Sequence, residues 1–212
     1  MKQLLAATCI VATLASASPL HAQAVLRPGP SGRATTEVSL SYPRPVAPMT
    51  GMAGMPAAAA PTPAAVAAPP EKPLTIRLDY GQPQLRGRVL HTDSLVPYDK
   101  PWRTGANGST MLTSDVDLMI GGMPVAKGSY VVFTVPSRSG WKLILQRPVG
   151  QSAMDYDPKN DVTQIDLRHS ALPMPIESLT MWLIPSLAPG AAKGELRFAW
   201  GTDQLSTDWS VR

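Results

Sequence analysis

Leu74-Thr75-Ile76-Arg77-Leu78-Asp79-Tyr80 alternates apolar and polar side chains without a break. A strand sends successive side chains to opposite faces, so this period of two puts Leu74, Ile76, Leu78 and Tyr80 on one buried face. The period recurs in Val131, Phe133 and Val135, in Trp141, Leu143 and Leu145, and in Ile165 with Leu167. It returns in Leu179, Met181 and Leu183, and again in Leu196, Phe198 and Trp200. Gly121-Gly122 and Ser137-Arg138-Ser139-Gly140 fall between such runs and read as hairpin turns. With 23 Pro and 16 Gly in 212 residues, almost any helix longer than three turns is interrupted. The pattern predicts an all-β chain: an antiparallel β-sandwich of about nine or ten short strands. Thr36 to Tyr42 is expected to supply one of them, ahead of a stretch of different character.

That stretch, Val46 to Lys72, is dominated by Ala, Pro, Met and Gly. Pro56 and Pro61 bracket Ala57 to Ala60 too closely for a helix to survive. It reads as a flexible, disordered Ala/Pro-rich linker or insertion, able to join two strands of one domain at little closure cost. The N-terminus carries an address. Lys2 precedes an apolar run from Leu4 to Ala17, and Ala22-Gln23-Ala24 fits a cleavage site. Residues 1–24 are therefore expected to be a secretory signal peptide, making the protein extracytoplasmic, periplasmic or secreted. Residues 25–45 then form an N-terminal segment with the first strand, 46–72 the linker, and 73–212 the β-sandwich domain.

The composition excludes several classes. The only cysteine, Cys9, lies in the leader, so the mature chain is expected to hold no disulfide, thiol nucleophile or thiolate metal site. Net charge is +4, with basic residues scattered rather than clustered, which argues against nucleic acid as a partner. No apolar run after the leader is long enough to span a membrane as a helix. Hydrophobic residues are 44% of the chain, enough for a core that needs no staples.

Val96-Pro97-Tyr98-Asp99-Lys100-Pro101-Trp102-Arg103-Thr104-Gly105-Ala106-Asn107 resembles the VPYGKVWRTGAN signature of a secreted bacterial family catalogued as domain of unknown function 2911. The resemblance extends to Lys127-Gly128-Ser129-Tyr130, to Trp141-Lys142-Leu143-Ile144 and to Leu172 through Leu183, where Glu177 matches a usual glutamate. Arg27-Pro28-Gly29-Pro30-Ser31 looks like the family's start, which would carry the likeness from Arg27 to Trp200. Membership implies a fold and no activity.

Within that segment Trp102, Arg103, Thr104 and Asn107 are the candidate ligand-binding residues. Arg offers a planar fork of donors, Trp a stacking face, and Asn both donors and acceptors, a set suited to an anionic or sugar-like ligand. The same residues also fit a structural turn. In that reading Arg103 pairs with Glu177, Asn107 turns left-handed and Trp102 plugs the core. Asp155, Asp157, Asp161 and Asp166 fall at calcium-loop spacing, but Asn160 stands where glycine is needed and Asp166 where glutamate is usual. Met49, Met52 and Met55 repeat every three residues, a spacing thioether copper sites use, with no His or Cys beside them. Neither carries a metal assignment, and no cofactor is expected. His91 and His169 are the only histidines past the leader, and no nucleophile elbow, zinc-protease helix or phosphate loop accompanies them. No catalytic residue is assigned. The function expected is a non-catalytic binding or structural module of the cell envelope, taking a small polar or envelope-associated ligand. The alternative is an envelope hydrolase with His169 or His91 as base and Arg103 clamping an anionic group.

Overall fold

A computed structural model describes residues 31–41, 72–150 and 155–212. The leader, most of the Ala/Pro-rich stretch with its three methionines, and Arg27 to Pro30 lie outside the described residues. What is described is all-β: nine strands and one turn of 3-10 helix, Pro158–Asn160. The strands are β1 (Gly32–Leu40), β2 (Leu74–Gln82), β3 (Met111–Ser114), β4 (Leu118–Ile120), β5 (Met123–Val125), β6 (Gly128–Ser137), β7 (Gly140–Gln146), β8 (Asp161–Pro185) and β9 (Lys193–Val211). They form one antiparallel sheet in the order β1-β2-β3-β6-β7-β8-β9-β4-β5, which does not close into a barrel. Among the described residues no helix is long and apolar enough to cross a membrane.

The alternation read in the sequence becomes the core. Ile76, Leu78 and Tyr80 of β2 are buried together with Leu143 and Leu145 of β7, Leu179, Met181 and Leu183 of β8, and Leu196, Phe198 and Trp200 of β9. A smaller cluster, Val131, Phe133 and Ile144, covers the other face of β6 and β7. Strands buried on both faces explain why Tyr130 to Thr134 shows no exposed position. Both expected hairpins form: Gly121-Gly122 joins β4 to β5, and Arg138-Ser139 joins β6 to β7. An ideal Cβ on Gly121, whose φ is +55°, would lie 2.3 Å from Cγ2 of Ile165, so this turn tolerates no side chain.

The expectation of uniformly short strands does not hold. The Ile165 and Leu179 runs lie in one strand, β8, of 25 residues, and β9 has 19. Pro173 and Pro175 lack the amide that would end or continue pairing cleanly, and the β8–β9 register shifts between Ala171 and Ile176 and again before Thr180. The strand thus shifts its register on β9 without a turn. Asp161 to Leu167 pairs with β7, and Arg168 to Pro185 with β9, with one isolated bridge from Ser178 to Gln84 on the other side.

That later part has a second edge with no strand beside it. Its amides are met by other means: Leu179 N donates to Pro83 O at 3.0 Å, Met181 N to Tyr80 Oη at 3.0 Å, and Leu183 N to Thr36 Oγ1 at 3.2 Å. The three acceptors come from the end of β2, from β2 and from β1. The far end of the sheet is thereby tied to β8.

Tyr80→Phe tests this tie. It would strand the buried Met181 amide and is expected to cost about 1–3 kcal/mol in denaturant unfolding. Burial raises the Tyr80 phenol, with the Met181 amide pulling the other way. A raised folded value means its contribution is intact below about pH 10 and is lost as pH climbs past that. The variant should therefore show a shallower alkaline loss of stability than the parent.

Candidate functional site

The chain between β2 and β3, residues 83–110, carries all six non-glycine residues of positive φ among the described ones: Arg86, His91, Val96, Asp99, Thr104 and Asn107. For β-branched Val96 and Thr104 this conformation is costly, so the connection must be held by its surroundings. It is. Leu85 N donates to Glu177 O at 2.8 Å, Asp99 N to Pro136 O at 2.8 Å, and Trp102 exchanges two 2.8 Å backbone bonds with Thr134 of β6.

The Trp102 to Asn107 segment is built into this frame. Trp102 stacks on Trp200, ring centroids 5.6 Å apart and 18° from parallel. Thr104 is buried and its hydroxyl bonds Trp102 O and Thr134 Oγ1, both at 3.1 Å, while Thr110 Oγ1 donates to Thr104 O at 2.8 Å. The segment then crosses β2: Ala106 N donates to Gly81 O, and an ideal Cβ at Gly81 would sit 1.7 Å from Ala106 O. Only glycine permits that crossing. Asn107 is exposed and left-handed.

Arg103 and Glu177 are not joined. Glu177 Oε1 accepts the Arg86 amide at 2.7 Å, capping the left-handed turn there, and its backbone oxygen accepts from Leu85 N and Trp200 Nε1. Arg103, half-buried, makes no hydrogen bond or ion pair with another described residue. The expected lock fails because Glu177 faces the start of the connection and Arg103 its end.

The Asp155 to Asp166 series is dispersed in the same way. Asp157 caps the 3-10 turn, Asp161 accepts from Gln146, Tyr156 and Gln164, and Asp166 pairs with Lys142 at 2.7 Å. Among the described residues no group of His, Cys, Asp and Glu is placed to hold a metal ion.

The two histidines converge on a residue the sequence did not single out. His91 Nε2 lies 2.8 Å from Asp203 Oδ2, and His169 Nε2 lies 2.8 Å from Asp203 Oδ1. Asp203 sits on β9 just after Gly201, whose φ is +58° and whose Cβ would press on Leu90. His91 is further fixed by Val96 O at 3.1 Å from Nδ1, by Tyr98 stacked at 4.3 Å, and by the edge of Trp141 at 5.5 Å. Both ring nitrogens of His91 thus face oxygen atoms, Val96 O and the Asp203 carboxylate. His169 is more open, and Nδ1 is the nitrogen its contacts leave over.

Beside this cluster is a cleft of about 350 Å³ whose lining includes Tyr98, Ser137, Arg138, Trp141, His169 and Asp203. Arg138, from the β6–β7 turn, lies over the Tyr98 ring with Cζ 4.8 Å from its centroid. Cation, aromatic walls and imidazole thus meet in one concave surface. Of the four residues first picked out, Trp102 and Thr104 line a narrow space behind it together with Trp141 and Asp203. Arg103 and Asn107 line neither. Nothing in one sequence could have paired residue 203 with 91 and 169. Tyr98, however, lay inside the recognised segment.

Residues 62–208 match the model of a family described as protein of unknown function (DUF2911). The span takes in every residue of the cleft and leaves out β1 and the Arg27 to Ser31 stretch. No curated protein and no solved structure matches the chain.

Asp203→Asn puts an amide NH2 where one imidazole nitrogen now meets a carboxylate oxygen, so that ring must change tautomer or lose the bond. It is expected to cost about 1–3 kcal/mol. His91→Ala should cost more than His169→Ala, since His91 is the more enclosed. Equilibrium denaturation of the three variants checks the order.

Proposed function

The chain belongs to the DUF2911 family, and we propose that it is an exported, non-catalytic binding module of the cell envelope that takes a small anionic or polyol ligand in the Tyr98–Arg138–Trp141–His169 cleft. The observation that carries this reading is the position of Arg138. An exposed guanidinium set on an aromatic ring at a cleft mouth keeps its fork of donors for a carboxylate or phosphate. Trp141 and Tyr98 give flat apolar walls, and His169 a polar contact beside them, the mixture expected of a small-molecule pocket. Export rests on the leader read in the sequence. The bent sheet is read here as a sandwich-like support, β1 and β2 laid over β8; the bonds from Tyr80 and Thr36 favour that reading.

One observation favours a second reading, an envelope hydrolase. Asp203 orients His169 by its Nε2, the arrangement in which a carboxylate fixes an imidazole tautomer and frees the other nitrogen as base. In that case Arg138, and not Arg103, is the cation nearer the base.

A thermal-shift screen of small carboxylates, phosphate monoesters and acidic sugars tests the binding reading. A true ligand at 100 times its dissociation constant adds about 2.7 kcal/mol of stability. Arg138→Ala should leave the unliganded melting point nearly unchanged and abolish the response to anions. A response that survives this substitution would contradict the assignment. Turnover of an anionic ester that disappears in His169→Gln would favour the hydrolase instead.

A further inference from the structure

The free edges of the sheet differ: besides the outer side of β9, which is met by a strand only at Trp209 to Val211, they are the later part of β8, β5 and β1. The later part of β8 is met by Pro83, Tyr80 and Thr36. The edge at β5 is three residues long and contains Pro124, two features that blunt an edge against further pairing. The edge at β1 has neither protection. It runs nine residues, Gly32–Leu40, pairs with β2 without a bulge, and contains no proline and no lysine. No backbone of another described residue hydrogen-bonds to its outer side. β8 touches it from the inward face, through Thr36, while Arg33, Thr35, Glu37 and Ser39 are exposed on the other face.

We propose that β1 is the contact strand of a homodimer, two copies of it adding antiparallel about a two-fold axis at Thr35. Backbone bonds across such an added strand give affinity, and the side chains opposite one another give register. In an antiparallel self-pairing centred on Thr35, Arg33 of one copy lies opposite Glu37 of the second copy, and the reverse holds on the other side of the axis. Centring on Arg33 or Glu37 would set like charges together, and centring on Ala34 or Thr36 would leave both charges without an opposite. Only one register satisfies both ions. Both groups are exposed and would turn outward to meet. Arg33 has no ion pair with another described residue, although its charge helps to lower the Asp79 carboxyl and its guanidinium lies beside Gly108; Glu37 has only a 3.9 Å contact to Arg77, which is held by two closer bonds to Asp79. β1 contributes no residue to the cleft, so a contact through it is independent of the ligand site.

Sedimentation velocity of the protein over a micromolar concentration series tests the proposal. The parent should show a concentration-dependent dimer. Arg33→Glu and Glu37→Arg should each keep the parent's circular dichroism and weaken self-association, on the order of tenfold, because each substitution acts at two symmetric places. Mixed one to one, the two variants put Glu at 33 and 37 of one copy against Arg at 33 and 37 of the other, and should recover the dimer. A parent that stays monomeric overturns the proposal. So does a dimer unaffected by either charge reversal, or one that the mixture fails to restore.

Discussion

Three amides on one edge of β8 set the terms for the rest of the molecule. Once the strand leaves β7, Leu179, Met181 and Leu183 present N–H groups inside the core with no strand to receive them. A buried amide without a partner costs on the order of 1–3 kcal/mol, so three of them would consume much of a small domain's margin. Pro83, Tyr80 and Thr36 supply the acceptors, and all three lie on or beside β1 and β2. The sheet's first strands are therefore drawn against its later ones by polar need as well as by the burial of Ile76, Leu78, Leu179 and Met181.

The candidate site follows from that geometry. With the end of β2 pinned at Pro83, the connection that leaves it must cross back over β2, and it does so where Gly81 has no side chain. Glu177, two residues before Leu179, fixes the start of the connection through the Leu85 and Arg86 amides. The Trp102–Thr134 bridge fixes its far end to β6. Between these anchors the chain accepts six left-handed residues and delivers His91 and Tyr98 beside Trp141. β9 brings Asp203 to the same place from the opposite direction, and His169 arrives from β8. The cleft is assembled from four elements far apart in sequence.

What the sequence disclosed divides along the same line. Side-chain alternation is local, so the strands around Leu78, Phe133, Leu143 and Leu196 and the turns at Gly121 and Arg138 were legible. The fusion of the Ile165 and Leu179 runs into one strand was not, because the alternation lapses between them, where the β8–β9 register shifts around Pro173 and Pro175. Arg103 was chosen for its chemistry and Glu177 for its position, yet the partner of Glu177 is a backbone amide, which carries no sequence signature. Trp102 and Thr104 were found and lie behind the cleft. Asp203, the residue on which both histidines converge, stands two residues after Gly201 in β9 and offers no local cue.

Amide hydrogen exchange at Leu179, Met181 and Leu183 tests the central claim most directly. If these groups are bonded as described, all three exchange only through near-global opening. Changing Tyr80 to Phe then speeds the Met181 amide well beyond the change in overall stability, while the amides of Leu143 and Leu145 follow global stability alone. Fast exchange at Met181 and Leu183 in the parent protein would contradict the account, because it would mean that the free edge of β8 is open to water and does not hold the ends of the sheet together.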